Sequence, residues 1–117
     1  MSLPVESEFD SDLDFLGEVQ GLEKLLEHRS RFTVLILLAR HEEMNFRRLK
    51  DLLQETDGNL GAHLRKLEEH SFLSVRKAFE KRKPVSWYAL TPQGREALNR
   101  HVAALRALTA NLDPPST

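Results

Sequence analysis

The sequence predicts a mainly α-helical domain that carries one small β-hairpin, on three observations. Apolar residues keep helical spacing in five separate segments between Gly17 and Asn111. The period switches to a β-rich pattern between Phe72 and Leu90, then returns to helix at Thr91-Pro92. The chain has 117 residues and no cysteine. That length buries roughly two-thirds of an unfolded chain's surface, enough for one core without disulfides.

The elements follow in order. Val19, Leu22, Leu25 and Leu26 give a short amphipathic helix near residues 17–28. Arg31–Arg40 is apolar on nearly every side, the mark of a buried central helix. Asn45 is a good N-cap for a third helix, with Phe46, Leu49, Leu52 and Leu53 as its inward stripe. Thr56-Asp57 caps a fourth, in which Leu60, Leu64 and Leu67 repeat at helical spacing as far as about His70. Gly58 and Gly61 fall in its first two turns, where glycine costs about 1 kcal/mol each. Close approach to another backbone would justify them, and fraying of a helix start is the plainer reason.

Phe72–Phe79 and Val85–Leu90 read as two strands joined by the charged connector Glu80–Pro84, a β-hairpin. Trp87 alternates to the face opposite Tyr88 and Leu90 and is expected to pack against the outer helices. Thr91 then caps a long helix with Pro92 at its first position. Leu98, Val102, Leu105 and Thr109 mark one stripe of it, with Ala97, Ala104 and Leu108 beside them. Residues 1–14 are acidic and without periodicity, so a disordered tail is expected there. The domain proper then covers 15–111, and 112–117, with Pro114 and Pro115, a frayed end.

Charge separates along the chain. Residues 1–27 hold eight acids against one base, Lys24, a balance of −7; the remaining 90 hold 16 bases against 10 acids, a balance of +6. A basic domain behind an acidic tail points to a polyanionic partner. No apolar run approaches the length of a membrane span, so no membrane is among the expected partners. The N-terminus has the character of neither a secretory signal nor a transit peptide. With no cysteine, a reducing compartment fits, and a cytoplasmic location is expected.

Two helices over 45–70 joined by a tight turn at Gln54–Thr56 make a helix-turn-helix, and the basic hairpin that follows makes a wing. Asn45–Lys50, the run Thr56-Asp57-Gly58-Asn59-Leu60 with His63-Leu64-Arg65-Lys66-Leu67-Glu68, Arg76-Lys77 and Leu90-Thr91-Pro92 with Gly94-Arg95 resemble the small single-domain winged helix-turn-helix transcriptional regulators of MarR/ArsR type, closest to their winged helix DNA-binding domain subgroup. The resemblance covers about residues 20–108 and implies a homodimer, paired through outer helices, on double-stranded DNA. The acidic residues 1–14 lie outside the family pattern.

The residues support that expectation by their chemistry. On the fourth helix Asn59, Ala62, His63, Arg65 and Lys66 are the candidate base readers: asparagine pairs bidentately with adenine, arginine with guanine, and alanine touches a thymine methyl. His63 suits equally a hydrogen bond to the neighbouring helix, and Arg65 and Lys66 suit ion pairs with Glu68 and Glu69. Arg47, Thr56, Gly58, Lys77, Lys81, Arg82 and Lys83 are the candidate phosphate and wing contacts. Leu22, Leu25, Leu26, Leu98, Val102, Leu105 and Leu108 offer more apolar surface than one small domain hides, and are assigned to a dimer interface.

Catalytic signatures are missing: there is no glycine-rich phosphate loop, no His-Glu-x-x-His and no nucleophile elbow. His63 and His70 stand about 10 Å apart along a helix, too far to share one ion. The expectation is therefore a non-enzymatic, sequence-specific regulator with no catalytic residue, metal or cofactor and an unspecified effector. A winged helix that docks protein instead of DNA is the alternative.

Overall fold

The computed structural model describes residues 3–112. Helix α1 covers Leu3–Gln20, and a 3-10 turn follows at Lys24–Glu27. Then come α2 (Arg29–Arg40), β1 (Met44–Asn45), α3 (Phe46–Leu53), α4 (Asp57–Glu69), β2 (Leu73–Glu80), β3 (Lys83–Leu90) and α5 (Pro92–Thr109). A 3-10 turn, Ala110–Leu112, closes the described chain; of the frayed end expected over 112–117, Leu112 belongs to that turn and 113–117 lie outside the described residues.

The capping chemistry places the helix starts. Asn45 accepts the Arg48 N–H at 2.7 Å, Thr56 the Asn59 N–H at 3.1 Å and Thr91 the Gly94 N–H at 2.9 Å. Each satisfies a first-turn donor that has no partner within its helix. α3 stops at Gln54, whose φ of 53° turns the chain left-handed, and Thr56 restarts it one residue after Glu55. Lys50 Nζ meets Asp57 Oδ1 at 2.8 Å across that turn.

The core lies where α2, α4 and the base of the hairpin meet. Val34, Leu35 and Leu38 of α2 and Leu60, Leu64 and Leu67 of α4 are buried with Leu26, Leu49, Leu73 and Tyr88. Each fully buried leucine contributes roughly 1.5–3 kcal/mol. The expected helix-turn-helix and hairpin stand, and sheet order β1-β3-β2 adds a third strand. Only two residues of β1 pair, Met44 with Tyr88 and Asn45 with Trp87. So short a strand leaves no period in a sequence.

Several expectations need correction. The helix α1 runs through the boundary placed between residues 14 and 15, where a disordered tail was the reading. Pro4 stands in its first turn, where a missing N–H is harmless, and no glycine follows before Gly17. The helix expected over 17–28 is instead the end of α1, a turn at Gly21 and the 3-10 turn. A Cβ on Gly21 would stand 3.2 Å from Ala104 Cβ, so α1 leaves its axis where it crosses α5. Beyond that crossing residues 12–20 are all exposed, and the molecule is 76 Å long against 35 and 23 Å.

Leu52, expected inward, is exposed. Leu26 and Leu98, assigned to a dimer interface, are buried in the domain's own core, and Leu25 and Val102 pack against it. The buried stripe of α5 is Gly94, Ala97, Leu98, His101 and Ala104, which leaves Leu105 and Leu108 half-buried on the flank. The small residues face inward because α5 lies close against its neighbours. The five-residue connector shrinks to a two-residue turn, Lys81-Arg82, with Glu80 paired to Lys83. Both turn residues have positive φ, 52° and 65°, the geometry a right-twisted hairpin demands.

Trp87 does point opposite Tyr88, but it is half-buried in a cleft lined by His41, Glu43, Arg48 and Leu52, on the α3 side and not against the outer helices. The Arg76 guanidinium lies 5.8 Å from its ring centroid. That guanidinium donates two hydrogen bonds to Glu43, at 3.0 and 2.8 Å, and so ties the turn before β1 to β2. The Glu43 carboxyl is held below the ordinary carboxylate range, chiefly by these hydrogen bonds.

Candidate nucleic-acid interface

α4 presents two faces of opposite character. Leu60, Leu64 and Leu67 are buried against α2 and the sheet, while Asn59, Ala62, Arg65 and Lys66 are exposed on the outside. The inner face fixes the helix rigidly, which is what a reading surface needs. Gly58 and Gly61 approach no other part of the chain: a Cβ at either would meet nothing within 4 Å. The backbone approach that would explain them is not within this protein. The first turn of α4 is therefore open, with N–H groups and a helix dipole suited to an anion.

His63 is the candidate reader that the structure turns away. Its Nδ1 lies 3.2 Å from the Arg31 guanidinium and its ring centroid 4.2 Å from that of His28. It thus takes the hydrogen bond to the neighbouring helix, because position 63 falls between the buried stripe and the outer face. Burial, then the neighbouring His28 and Arg31, hold its imidazole below the usual histidine range. Below it Ser30 Oγ donates to Glu55, and this hydrogen bond is the chief cause that holds the Glu55 carboxyl below its ordinary range. Serine, glutamate and arginine thus brace the turn from beneath, a network with no linear signature in the sequence.

The hairpin stands beside α4 and leaves two clefts. One, about 960 Å³, lies between β3 and the start of α3 and is lined by Asn45, Arg47, Lys77, Lys81 and Ser86 among others. The second, about 440 Å³, lies between α4 and the hairpin, with Gly61, Arg65, Lys77 and Tyr88 in its walls. Lys77 lines both, its ammonium 3.2 Å from Ser86 Oγ. Arg47, Arg65, Lys77 and Lys81 are thereby brought to one side of the molecule, with Thr56 and Gly58 at the open helix start. Arg82 and Lys83 extend it along the exposed tip of the wing, whereas Lys66 lies at the opposite edge of α4, near His63. Arg47 is loosely held by Asp51 at 3.6 Å. Among the described residues no three His, Asp or Glu side chains gather to hold a metal ion, and no helix is long and apolar enough to cross a membrane.

Comparison with known proteins agrees with the winged-helix fold. The family model described as a winged helix DNA-binding domain matches residues 30–109. Protein MJ0432 of Methanocaldococcus jannaschii is 33% identical over 90 residues, which span 77% of this chain and 98% of that protein. The structure of a transcriptional regulator homologue from Pyrococcus horikoshii superposes with a TM-score of 0.76 at 27% identity, covering 86% of this chain and 99% of the other. Lactococcus lactis ZitR, a zinc-responsive MarR family member, shares the fold at TM-score 0.55 and 19% identity, over 72% of this chain and 57% of its own. From Asn45 to Leu90 the residues that build the helix-turn-helix and the wing all lie within the matched span, and this chain belongs to the winged helix DNA-binding domain family.

Proposed function

We propose that this protein is a sequence-specific transcriptional regulator that binds double-stranded DNA as a homodimer, in the cytoplasm. The observation that carries the reading is the exposed face of α4, with Asn59, Ala62 and Arg65, and a cleft beside it that Arg65 and Lys77 line. α4 enters the major groove, where Asn59 and Arg65 meet base edges and Ala62 lies against a thymine methyl. Thr56, Gly58, Arg47, Lys77 and the wing cations hold the phosphates to either side. ZitR, of the same fold, is solved in complex with DNA, which supports this docking.

The homodimer rests on a different surface. Leu13, Phe15, Leu16 and Val19 of α1 are 39–55% exposed and stand clear of the domain body. Leu22, Leu105 and Leu108 continue that apolar surface at the crossing with α5. A second copy covers it, and the Asp12, Asp14 and Glu18 carboxylates of α1 complement Arg100 and Arg106 of the partner's α5. A two-fold axis through these helices presents two α4 helices to half-sites about one helical turn apart.

Selection of bound duplexes from random DNA, then titration of the winner across a salt series with light scattering, tests the reading. About six neutralised phosphates give a slope of log K against log salt near −5. The complex has two 13.5 kDa chains per duplex. Asn59→Ala and Arg65→Ala each relax one base position by about 1–3 kcal/mol. A flat salt response, with no selected sequence, favours the protein-docking alternative.

A further inference from the structure

The flank of α4 turned away from the reading face carries a titratable group that base contact does not use. Arg31 Nη1 donates to His63 Nδ1 at 3.2 Å. A guanidinium only donates, so that nitrogen accepts, and the imidazole is neutral with its proton on Nε2. The His28 ring lies beside it, 4.2 Å between centroids, and is fixed in the same way. Its Nδ1 accepts the Ser30 N–H at 3.2 Å and caps α2. Arg31 is also anchored through Nε, which donates to the Leu25 carbonyl at 2.7 Å. The guanidinium thus bridges the 3-10 turn before α2 and the middle of α4, and His63 is its contact there.

A proton on His63 breaks this contact in two ways. With Nε2 already occupied it goes to Nδ1, which turns from acceptor into donor and faces a donor. It also places a charge among basic groups: His28 at the cap of α2, Arg31 within α2 and Lys66 one turn along α4. Glu55, in the turn before α4, is the acid that faces it, and the Ser30 hydroxyl already donates to that carboxylate. Burial, then these basic neighbours, keep the imidazole below the usual histidine range. His63 is half-buried and His28 exposed, so a proton reaches the pair without unfolding of the core. A helix of 13 residues moves as one body, so displacement of this flank carries Asn59, Ala62 and Arg65 with it.

Resting on the DNA-binding reading above, we infer that His63 is a proton-responsive positioning residue for the reading helix. Neutral, it holds α4 against Arg31 in the geometry that reads the duplex; protonated, it releases that flank, so acidification weakens duplex binding. The direction sets this apart from plain charge. The braced arrangement excludes a proton that the released one accepts, so it is favoured above the ordinary histidine value of 6.5 and lost as pH falls below it. A histidine that merely stood near phosphate would act in the opposite sense, because added positive charge tightens binding.

Titration of the selected duplex with the full chain near pH 7.5 and near pH 5.5, at one salt concentration, tests this. His63→Gln is the companion, since its amide oxygen can accept from Arg31 but takes up no proton. The wild type is expected to bind about tenfold more weakly at the lower pH, one excluded proton acting over about one pH unit. His63→Gln, whatever its affinity at the higher pH, keeps that affinity at the lower one or tightens. His101→Asn, which replaces the buried histidine of α5, still shows the loss. Amide exchange over Leu60–Leu64, corrected for the intrinsic rate, speeds up on acidification in the wild type and not in His63→Gln. Wild-type affinity that is unchanged or tighter at the lower pH, a loss that His63→Gln shares, or equal exchange in the two chains refutes the proton response and leaves the DNA reading standing. If no duplex is bound at either pH, both fall. The direction of the wild-type change needs no variant, so a His63→Gln chain that failed to fold would not blunt the test.

Discussion

The starts of α4 and α5 are built from the same local parts: a threonine whose hydroxyl accepts the N–H three residues on, and a glycine within the first turn. Their surroundings differ completely. A Cβ on Gly58 would meet nothing within 4 Å, whereas one on Gly94 would stand 2.1 Å from the Phe72 carbonyl oxygen and 2.8 Å from Leu90 Cδ1. The Thr91 N–H donates to that same carbonyl at 3.1 Å, and the Thr91 hydroxyl donates to the Ser71 carbonyl. One helix start is thus locked onto the chain that leads into the wing, and the other is left open. The same short motif is packed in one place and open in the other.

The strongest way to break this comparison is at the locked end. Gly94→Ala forces a methyl group into a backbone carbonyl that is itself hydrogen-bonded, and neither α5 nor β2 yields cheaply. Urea unfolding should show a loss of about 3 kcal/mol, the upper range for overpacking, or outright failure to fold. A loss below about 0.5 kcal/mol would mean that the contact between α5 and the chain at Phe72 is soft.

A smaller effect follows from His101, which is 3% exposed on the inner face of α5. Its Nδ1 accepts the Glu23 N–H at 2.8 Å, and its ring meets Phe32 edge-on at 5.0 Å between centroids. Burial lowers its pKa from 6.5, against the smaller raising effects of Glu23 and Glu27. A histidine depressed in the folded state stabilises the fold above its unfolded pKa, and the gain is lost as pH falls through that value and below. Stability should therefore drop between pH 7 and pH 5. His101→Asn, whose amide oxygen can accept the same N–H, should show a shallower drop over that window. An unchanged pH profile in the variant would place the titration elsewhere.

The smallest expected change in stability sharpens the open end. Gly58→Ala adds a methyl group to empty space and removes backbone freedom from the unfolded chain, so stability should rise by up to about 1 kcal/mol. Duplex affinity should nonetheless fall about tenfold, because the methyl group stands where a phosphate approaches the helix start. Unaltered affinity would return Gly58 to an ordinary frayed start.

The local grammar of the candidate site was legible, and its sorting was not. Asn59, Ala62, Arg65 and Lys66 are exposed as the spacing from Leu60, Leu64 and Leu67 requires. Helical periodicity could not say which flank of that stripe abuts α2, so His63 was grouped with the readers although Arg31 and His28 hold it. The Ser30–Glu55 hydrogen bond joins residues 25 apart, and the Arg76–Glu43 pair joins residues 33 apart. No pattern of neighbours announces such pairs.

By itself the sequence determined where α2 to α5 lie and where three of them begin, because Asn45, Thr56 and Thr91 act on N–H groups only three residues away. It also determined the basic hairpin and the two faces of α4, since periodicity reports burial whenever one side of an element meets a core. Tertiary structure decided what each apolar surface is for. Leu26 and Leu98 looked like an interface and are core, while Leu13, Phe15 and Leu16, placed at or beside an expected tail, form the exposed surface of α1. Tertiary structure also chose the alanine stripe of α5 for the inside and put His101 within it. The physical reason is range: caps and turns are satisfied within a few residues, whereas burial depends on which distant surface arrives and how closely it can approach.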